Sequence, residues 1–347
     1  MEYTEVKKAH IVPRCYFANF AVDKAVMLNV DGRPLKQPIS IDDAAIRKTF
    51  YRRYRPDGTP IDDIEWSLSQ LEGGVAQILQ DVRATWPPRL EEEKGPLAEF
   101  FAMQFVRGPR WKAWREERAR EMIATKRRNP EPIRRDSGLL IAVTQKALNE
   151  TEDQLLSETE WLTRMMLVAN KLIHGFGAMR WHLIEFNEPL LAISDHPVVA
   201  WPLDADYRQP EPTPAGLGVL NFLEVRVPIS PTLALLMTWQ DLPDAPDPIA
   251  GSEDIAANIN AFTISNSDRQ WMHMPGEQVP IAKGYLDPIS TKLVPGYGKD
   301  EVEISAVRQK VLDVVQPKLG EDIHDAVDED GRMHVEIVTA SERAALK

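Results

Sequence analysis

Cysteine is almost absent from this chain of 347 residues, because Cys15 is its only one. A single cysteine excludes an internal disulfide and a cysteine-rich zinc site. It is typical of the reducing cytosol, so we predict a cytoplasmic protein. Long apolar runs are lacking too, since no stretch approaches the roughly 20 apolar residues that cross a bilayer. The first residues, Met1–Glu5, are acidic where a signal peptide would be basic and then apolar, and we expect no membrane partner.

Glycine and proline show no regular period, which excludes a collagen-like or low-complexity chain. The 18 Gly and 27 Pro are scattered, and no internal repeat is present. A hydrophobic content of 43% and nine Trp exclude a chain that is disordered throughout, because these residues need a core. The length is that of roughly two domains or of one large unit.

The pattern of apolar residues predicts short strands, then helices, then strands again. Extended segments are predicted at 9–12 and 26–30, with a hairpin turn at Asp31-Gly32. A helix is predicted from 41 toward 53, with Asp42 as its cap. Further helices are predicted over 62–85, 97–106, 110–128 and 157–174, and Gly175 and Gly177 are expected to end the last of them. The later strands are predicted at 181–186, 190–193, 198–201, 220–227 and 232–239, followed by a helix at 255–262.

This order predicts an α+β fold and not an alternating α/β fold. In it, N-terminal short strands and a helical block pack on a C-terminal antiparallel or mixed β-sheet. The predicted divisions are residues 1–178 for the strands and helical block, 179–317 for the β-rich half, and 318–347 for an acidic appendage. One compact unit overall remains the alternative.

Positive charge is concentrated although the net charge is −12. Residues 107–135 hold nine Arg and two Lys against four Glu, which is an excess of +7. Such a patch can attract an anion within a Debye length, so an anionic small molecule or nucleic acid is a candidate partner. The alternative is a solvated helix face with internal ion pairs, such as Glu116–Arg120 and Arg118–Glu121.

Candidate site residues occur at four places in the sequence. His10 and Arg14 lie in and just after the first extended segment. Glu65 and Glu72 share one face of the predicted 62–85 helix, and the neighbouring Gly73-Gly74 pair suggests that another backbone or a ligand approaches there. A histidine beside an apolar strand and two helical glutamates also have ordinary structural interpretations.

Gln104 and Arg107 lie one turn apart in a segment that is otherwise apolar and therefore predicted to be buried. A buried arginine needs a partner, for which Glu65 or Glu72 is the natural choice. The pair is either a structural brace or a site for an anionic substrate.

Asp195 and His196 follow an apolar strand and precede Pro197, where they are either a metal ligand and a base or a simple turn. Asp195 with Glu224 and Arg226 also loosely resembles the Asp, then Glu-x-Lys arrangement of metal-dependent nucleases. Arg226 departs from it, because arginine does not release a proton near neutral pH.

Several motifs together resemble the bacterial domain-of-unknown-function family 4238. They are His10-x-Val12-Pro13-x-x-Tyr16-x-x-x-Phe20, Ile64-Glu65 with Glu72-Gly73, Leu97-x-x-Phe100 with Gln104-x-x-Arg107, Ile193-Ser194-Asp195-His196-Pro197-Val198, and Val227-Pro228-Ile229-Ser230-Pro231. The resemblance covers roughly residues 7–270 and implies no reaction. The family often has Asn where this chain has His196.

The resulting hypothesis brings these polar residues into one cavity. His10, Glu65, Glu72 and Asp195 are the predicted catalytic residues, and Glu65, Glu72 and Asp195 would bind Mg²⁺ or Mn²⁺. Arg14, Gln104, Arg107 and His196 would bind the substrate. The expected function is a metal-dependent hydrolase, such as a nuclease, acting on a phosphoester or another anionic substrate. The alternative is a non-catalytic ligand- or partner-binding protein in which the same network is structural.

Overall fold

The computed structural model has the predicted α+β class and a core shared by both halves of the chain. It describes residues 8–54, 57–88, 90–128, 152–202, 222–240, 242, 247–284, 286–293, 322–327 and 333–338. None of the helices in these ranges combines the length and the apolar character needed to span a bilayer.

The helices fill the middle of the chain and surround one strongly apolar member. They are α1 (Arg14–Phe17), α2 (Asp63–Asp81), α3 (Gly95–Val106), α4 (Pro109–Arg128), α5 (Glu152–Leu155), α6 (Glu158–Ala178), α7 (Glu253–Ser265) and α8 (Ile289–Leu293), with a π-helical turn at Leu90–Lys94. Helix α3 is apolar on nearly every face and is buried against α6 and α2. Ser157 caps α6, since its side chain accepts a hydrogen bond from the backbone N–H of Glu160 at 3.1 Å.

The larger sheet is built from the C-terminal half. Its strand order is β10-β11-β12-β8-β13, formed by β8 (Arg180–Glu185), β10 (Val199–Pro202), β11 (Phe222–Ser230), β12 (Leu233–Thr238) and β13 (Ile249–Ala250). All neighbours are antiparallel except β13 and β8. β11 and β12 are buried along almost their whole length, as expected for a sheet covered on both faces.

A second sheet joins strands from the two halves of the chain. It has the order β3-β2-β14-β9, with β4 also paired to β2, and consists of β2 (Ala25–Val30), β3 (Arg33–Pro34), β4 (Ile39–Ser40), β9 (Ile193–Ser194) and β14 (Gln270–His273). The hairpin turn at Asp31-Gly32 was predicted correctly. The pairing of β2 with β14 means that the predicted boundary at 178 does not separate two independent sheets.

The helix predicted from 41 toward 53 is wrong. That segment instead contains β5 (Ile46–Lys48), which pairs with β1 (Lys8–His10), and β6 (Arg53–Tyr54), which pairs with β7 (Pro60–Ile61). Ala45 and Thr49 have φ values of 47° and 50°, so the chain turns sharply on both sides of β5 and cannot continue as a helix.

Four glycines behave differently from their predicted roles. Helix α6 runs on to Ala178 and includes both Gly175 and Gly177, because α6 lies along α3. Gly73 and Gly74 are exposed on α2, and a Cβ at either position would meet nothing within 4 Å in the described part of the chain. The expected close approach of another backbone is therefore not seen there.

The predicted appendage contains one hairpin. Strands β15 (Asp322–Val327) and β16 (Met333–Val338) are antiparallel, and among the described strands each pairs only with the other. The rest of 318–347 lies outside the described residues.

Candidate functional site

Arg107 is the centre of a buried polar cluster at the end of α3. Its Nε donates to the Tyr51 hydroxyl at 3.1 Å, and its Nη1 donates to Glu72 Oε1 at 2.9 Å and to Gln104 Oε1 at 3.2 Å. Its Nη2 donates to the backbone carbonyl of His10 at 2.6 Å. Every guanidinium nitrogen thus has a partner inside the protein.

This cluster ties together four separate segments, and we call Arg107, Glu72, Gln104 and Tyr51 the Arg107 brace. Gln104 extends it by donating to the carbonyl of Ile11 at 3.0 Å. The Arg107 side chain is 3% exposed, whereas that of Glu72 is 25% exposed. Burial disfavours the charge of Arg107, but Tyr51 and Glu72 outweigh this effect and leave its pKa raised.

The brace confirms that Glu72 is the partner of Arg107, and it removes two predicted substrate contacts. An anionic substrate would have to displace Glu72, Gln104 or a backbone carbonyl to reach Arg107, and the arginine is enclosed. Gln104 likewise uses its amide nitrogen and its oxygen internally. Both residues therefore hold the fold together at this point and do not face a ligand.

Tyr51 belongs to this site and was not found from the sequence. Its hydroxyl donates to the carbonyl of Arg107 at 3.0 Å while it accepts from Arg107 Nε. Burial raises the pKa of Tyr51 to about 12, so the hydroxyl keeps its proton. The incorrect helix over 41–53 hid this role, because it gave Tyr51 no reason to face α3.

Glu65 is the exception in this region, because it has a buried oxygen without a partner. In the described part of the chain, Oε1 of Glu65 is inaccessible to solvent and makes no hydrogen bond. Burial raises the pKa of Glu65 to about 7, Arg107 opposes this effect, and Glu72 and Asp62 add to it. Glu65 therefore changes its charge near neutral pH.

His10 lies at the outer side of the brace. Its ring Nε2 is 3.3 Å from the carbonyl of Asp42, while its own carbonyl accepts from Arg107. Burial and the nearby Arg14 lower the pKa of His10, against opposing effects of Asp42 and Glu72, so the ring is neutral at pH 7. If Nε2 carries the proton, Nδ1 is left as a hydrogen-bond acceptor.

Arg14 and Cys15 complete the surroundings. Arg14 forms an ion pair with Asp42 at 3.0 Å, in which both side chains are more than half exposed, so the guanidinium is accessible from solvent. Sγ of Cys15 lies 4.0 Å from the carbonyl of Glu72. Burial, together with Glu72, raises the pKa of Cys15 to about 11, so it stays a thiol at neutral pH.

Asp195 binds backbone groups with its carboxylate. Its carboxylate accepts three backbone N–H groups, from Asp268 at 2.8 Å and from Arg269 and Gln270 at 3.0 Å each. These bonds fix the start of β14 beside β9. Burial raises the pKa of Asp195 to about 6, and the three N–H groups oppose the rise. The Asp195 carboxylate is thus occupied by backbone groups, and within the described residues it forms no metal-binding group with Glu65 and Glu72.

His196 is enclosed next to the junction of α3 and α4. Its Nδ1 is buried and makes no hydrogen bond to any described residue, and a Cβ on Gly108 would lie 3.5 Å from it. Burial and the nearby Arg110 lower the pKa of His196 to about 3, so the ring is neutral. At 7% exposure it does not present a substrate-binding surface.

The predicted metal set is consequently incomplete. Asp195 uses its oxygens on backbone N–H groups, and Oε1 of Glu72 is held by Arg107. Within the described ranges, no group of three or more His, Cys, Asp or Glu side chains is arranged to hold a metal ion. The three carboxylates named from the sequence do not fit a shared ion.

Glu224 and Arg226, the remaining acid and base of the nuclease-like pattern, form a fully buried pair. Nε of Arg226 donates to Glu224 at 2.7 Å, and its guanidinium lies over the rings of Trp201 and Phe262 at 4.8 and 4.9 Å. Glu224 also accepts the backbone N–H groups that begin α8. This arrangement joins the sheet to α7 and α8 and leaves no side for a substrate.

The basic stretch is largely neutralised where the structure describes it. Its ion pairs are Lys112–Glu158, Arg115–Glu160, Arg118–Glu121 and Arg120–Glu116. The two pairs predicted from helical spacing are therefore confirmed. Residues 129–135 lie outside the described part of the chain.

The fold and the site together describe an α+β protein in which a buried arginine joins the N-terminal strand to two helices. Next to this arginine lies a glutamate with one carboxyl oxygen that has no hydrogen-bond partner in the described ranges. The chain matches the model of the family described as "Protein of unknown function (DUF4238)" over residues 8–276, and it belongs to that family. The resemblance inferred from the motifs is thus confirmed. No curated protein and no solved structure matches the chain.

Proposed function

We propose that this protein is a hydrolase in which Glu65 is the general acid–base group. The observation that carries the proposal is the buried, unpartnered Oε1 of Glu65 beside a brace in which the other polar groups are satisfied. A general acid–base group works best when its pKa is near the working pH, and the pKa of Glu65 is about 7. An unpaired buried carboxyl also costs stability, which is typical of functional sites.

The other residues have supporting roles in this proposal. The Arg107 brace positions α2, and with it Glu65, against the N-terminal strand. Ionised Glu65 would remove a proton from the attacking water and then return it to the leaving group. His10 is a neutral second acceptor at the outer side. Arg14 is the accessible cation near His10, so an anionic part of the substrate, such as a phosphoester, is assigned to Arg14 and not to Arg107.

The test is hydrolysis of chromogenic phosphate monoesters, phosphate diesters and carboxylic esters by the full chain. Glu65→Gln should lower the rate about 10²-fold or more while the protein stays folded. Glu99→Gln is the matched control, because Glu99 is exposed on α3 and carries the same charge change. Equal rates for Glu65→Gln and the control would refute Glu65 as the acid–base group.

A divalent metal is the second variable of that experiment. Mg²⁺ commonly binds through one or two carboxylates together with water and substrate phosphates, so Glu65 with the outer oxygen of Glu72 is the remaining donor set. Hydrolysis and thermal unfolding are to be measured with Mg²⁺, Mn²⁺ or a chelator. A metal-dependent rate that disappears in Glu65→Gln would support the metal version of the hydrolase.

A non-catalytic binding protein is the second candidate, and the closed Arg107 brace favours it. A network in which the side-chain polar atoms of Arg107, Tyr51 and Gln104 all pair internally needs no reaction to explain it. Glu72→Gln separates the two functions: a purely structural brace predicts a loss of about 1–3 kcal/mol in the free energy of unfolding, because Arg107 loses a charged partner. Catalysis at the cluster predicts a loss of rate beyond that change.

Nucleic acid remains a proposed ligand through residues 107–135. The internal ion pairs of the described part weaken this proposal, since paired lysines and arginines release fewer counterions from a phosphate backbone. Binding to single- and double-stranded DNA and RNA over a range of salt concentrations tests it. A steep fall in affinity with salt would support the proposal, and absence of binding at low salt would refute it.

A further inference from the structure

Among the described residues of α2 and its cap, three acids are each held by an arginine, whereas Glu65 is not. Arg52 holds Asp62 through two hydrogen bonds, of 3.0 and 3.1 Å, and Arg53 likewise holds Asp63. Arg107 holds Glu72. Glu65 lies in the same first turns of the helix and has no cation bonded to it in the described part of the chain. When Glu65 is ionised, it therefore adds a negative charge to which no described cation is bonded.

The hydrogen-bond donors near Glu65 are already in use. The Tyr51 hydroxyl donates to the carbonyl of Arg107, and the Gln104 amide donates to the carbonyl of Ile11. The guanidinium nitrogens of Arg107 all donate elsewhere. Oε1 of Glu65 is thus buried without a donor, and a desolvated carboxylate in that state needs one from outside the protein.

We infer that the ligand of this site presents a protonated amine to Glu65. The inference rests on the proposed function for the location of the site and adds the chemical class of the group bound there. An ammonium supplies both the missing hydrogen-bond donor and the missing positive charge. An anion is disfavoured at Glu65 itself, because the carboxylate repels it.

Exposed aromatic residues at the same end of α2 favour an organic cation over a metal ion. Trp66, the residue after Glu65, is 46% exposed, and Tyr54 of β6 is 55% exposed. β6 lies beside α2 because Arg53 holds Asp63, the first residue of that helix. Aromatic faces attract organic ammonium groups, and they give nothing comparable to a hydrated metal ion.

The experiment is thermal unfolding of the full chain with n-butylamine, sodium butyrate or MgCl₂ at matched ionic strength. The amine should raise the unfolding midpoint of the wild type and of the Glu99→Gln control, and it should not raise that of Glu65→Gln. Stabilisation by butyrate or by Mg²⁺ without stabilisation by the amine would overturn the inference.

A second measurement covers the case in which Glu65→Gln does not fold. Saturation-transfer NMR with wild-type protein should show binding through the signals of butylamine and none through those of n-butanol, which has the same carbon chain without the charge. Equal saturation transfer to butylamine and n-butanol would refute the inference.

The two proposals fail in different ways. If Glu65→Gln loses hydrolysis but the wild type binds no amine, the proposed hydrolase is supported and the inferred ligand class is wrong. Amine binding that depends on Glu65, in a chain that hydrolyses none of the esters, retains the ligand class and removes the hydrolase.

Discussion

Arg107, which is buried, and Glu65, which is half-buried, are in opposite situations. Arg107 has a partner for each nitrogen, so its burial is compensated and it contributes to the rigidity of the fold. Glu65 has an oxygen with no partner among the described residues, so its burial is uncompensated. The uncompensated group is the one that we expect to respond to pH and to ligands.

The pH dependence of stability should show this difference at Glu65. Folding raises its pKa from 4.5 to about 7, so the folded state holds the proton more tightly than the unfolded chain does. Its contribution to stability is complete below about pH 4.5 and is lost as the pH rises through about 7. Relative to Glu65→Gln, the wild type should lose about 2 kcal/mol of unfolding free energy over this range.

Urea unfolding at several pH values measures that difference. Asp195 also has a raised pKa, but it is present in both proteins and cancels in the comparison. Glu99→Gln should follow the wild type at every pH. A constant difference between wild type and Glu65→Gln from pH 4.5 to pH 8 would contradict the raised pKa.

Asp195 should act on stability and not on the site. Asp195→Asn keeps one acceptor oxygen for three backbone N–H groups and removes the charge that strengthens those bonds. We expect a loss of about 2–4 kcal/mol of unfolding free energy, measured in urea. Asp23→Asn, an exposed aspartate in a turn, is the control and should change little. Unchanged stability together with lost hydrolysis would return Asp195 to the site.

At the scale of secondary-structure elements, buried ion pairs fix the positions of strands and helices relative to one another, which apolar contacts alone define less precisely. Glu224 and Arg226 lie on β11, and through them the strand holds Asn258 of α7, the carbonyl of Asp287 and the start of α8. The basic helix α4 forms ion pairs that are less deeply buried, because Lys112 pairs with Glu158 and Arg115 pairs with Glu160 of α6.

A double-mutant cycle should distinguish these two kinds of pair. Arg226→Met should cost about 3–5 kcal/mol, because it leaves Glu224 buried without its cation. Arg226→Met combined with Glu224→Gln should cost less than the sum of the single changes by about 1 kcal/mol or more. The exposed pair Arg118 and Glu121, changed in the same way, should show a coupling of roughly 0–0.5 kcal/mol. Equal couplings in urea unfolding would refute the structural role of the buried pair.

At the scale of the whole molecule, the two halves of the sequence depend on each other. β2 pairs with β14, and the Tyr16 hydroxyl donates to the carbonyl of Pro228 at 2.6 Å. One hydrophobic core contains buried residues from Ala9 to Ile289. The chain is therefore expected to unfold in one cooperative step over this range.

Fragments of the chain test this dependence. A fragment of residues 1–178 should lack a cooperative unfolding transition by circular dichroism, because β2, α1 and α3 lose the strands that cover them. A fragment of residues 1–317, which lacks the β15–β16 hairpin, should retain the unfolding transition of the full chain. A sharp transition for 1–178 alone would show that the N-terminal half is an independent domain.

The local sequence pattern predicted most of the helices and strands correctly. It failed where contacts between residues far apart in the chain determine the conformation. Helices α2, α3 and α4 followed from apolar spacing and from proline or glycine at their ends. The segment 41–53 failed, because its conformation depends on β1, more than 30 residues earlier. Helical spacing gave the ion pairs of α4 for the same local reason.

By itself the sequence determined the fold class, the burial of α3 and the need of Arg107 for an acidic partner. These features follow from short stretches of sequence, because an apolar helix is buried and a buried charge needs a partner. Only the tertiary structure decided which acid pairs with Arg107, that Tyr51 joins it, and that Asp195 serves β14 instead. The reason is that hydrogen-bond partners far apart in the chain are chosen by three-dimensional packing. It is this packing that left Oε1 of Glu65 without a partner among the described residues.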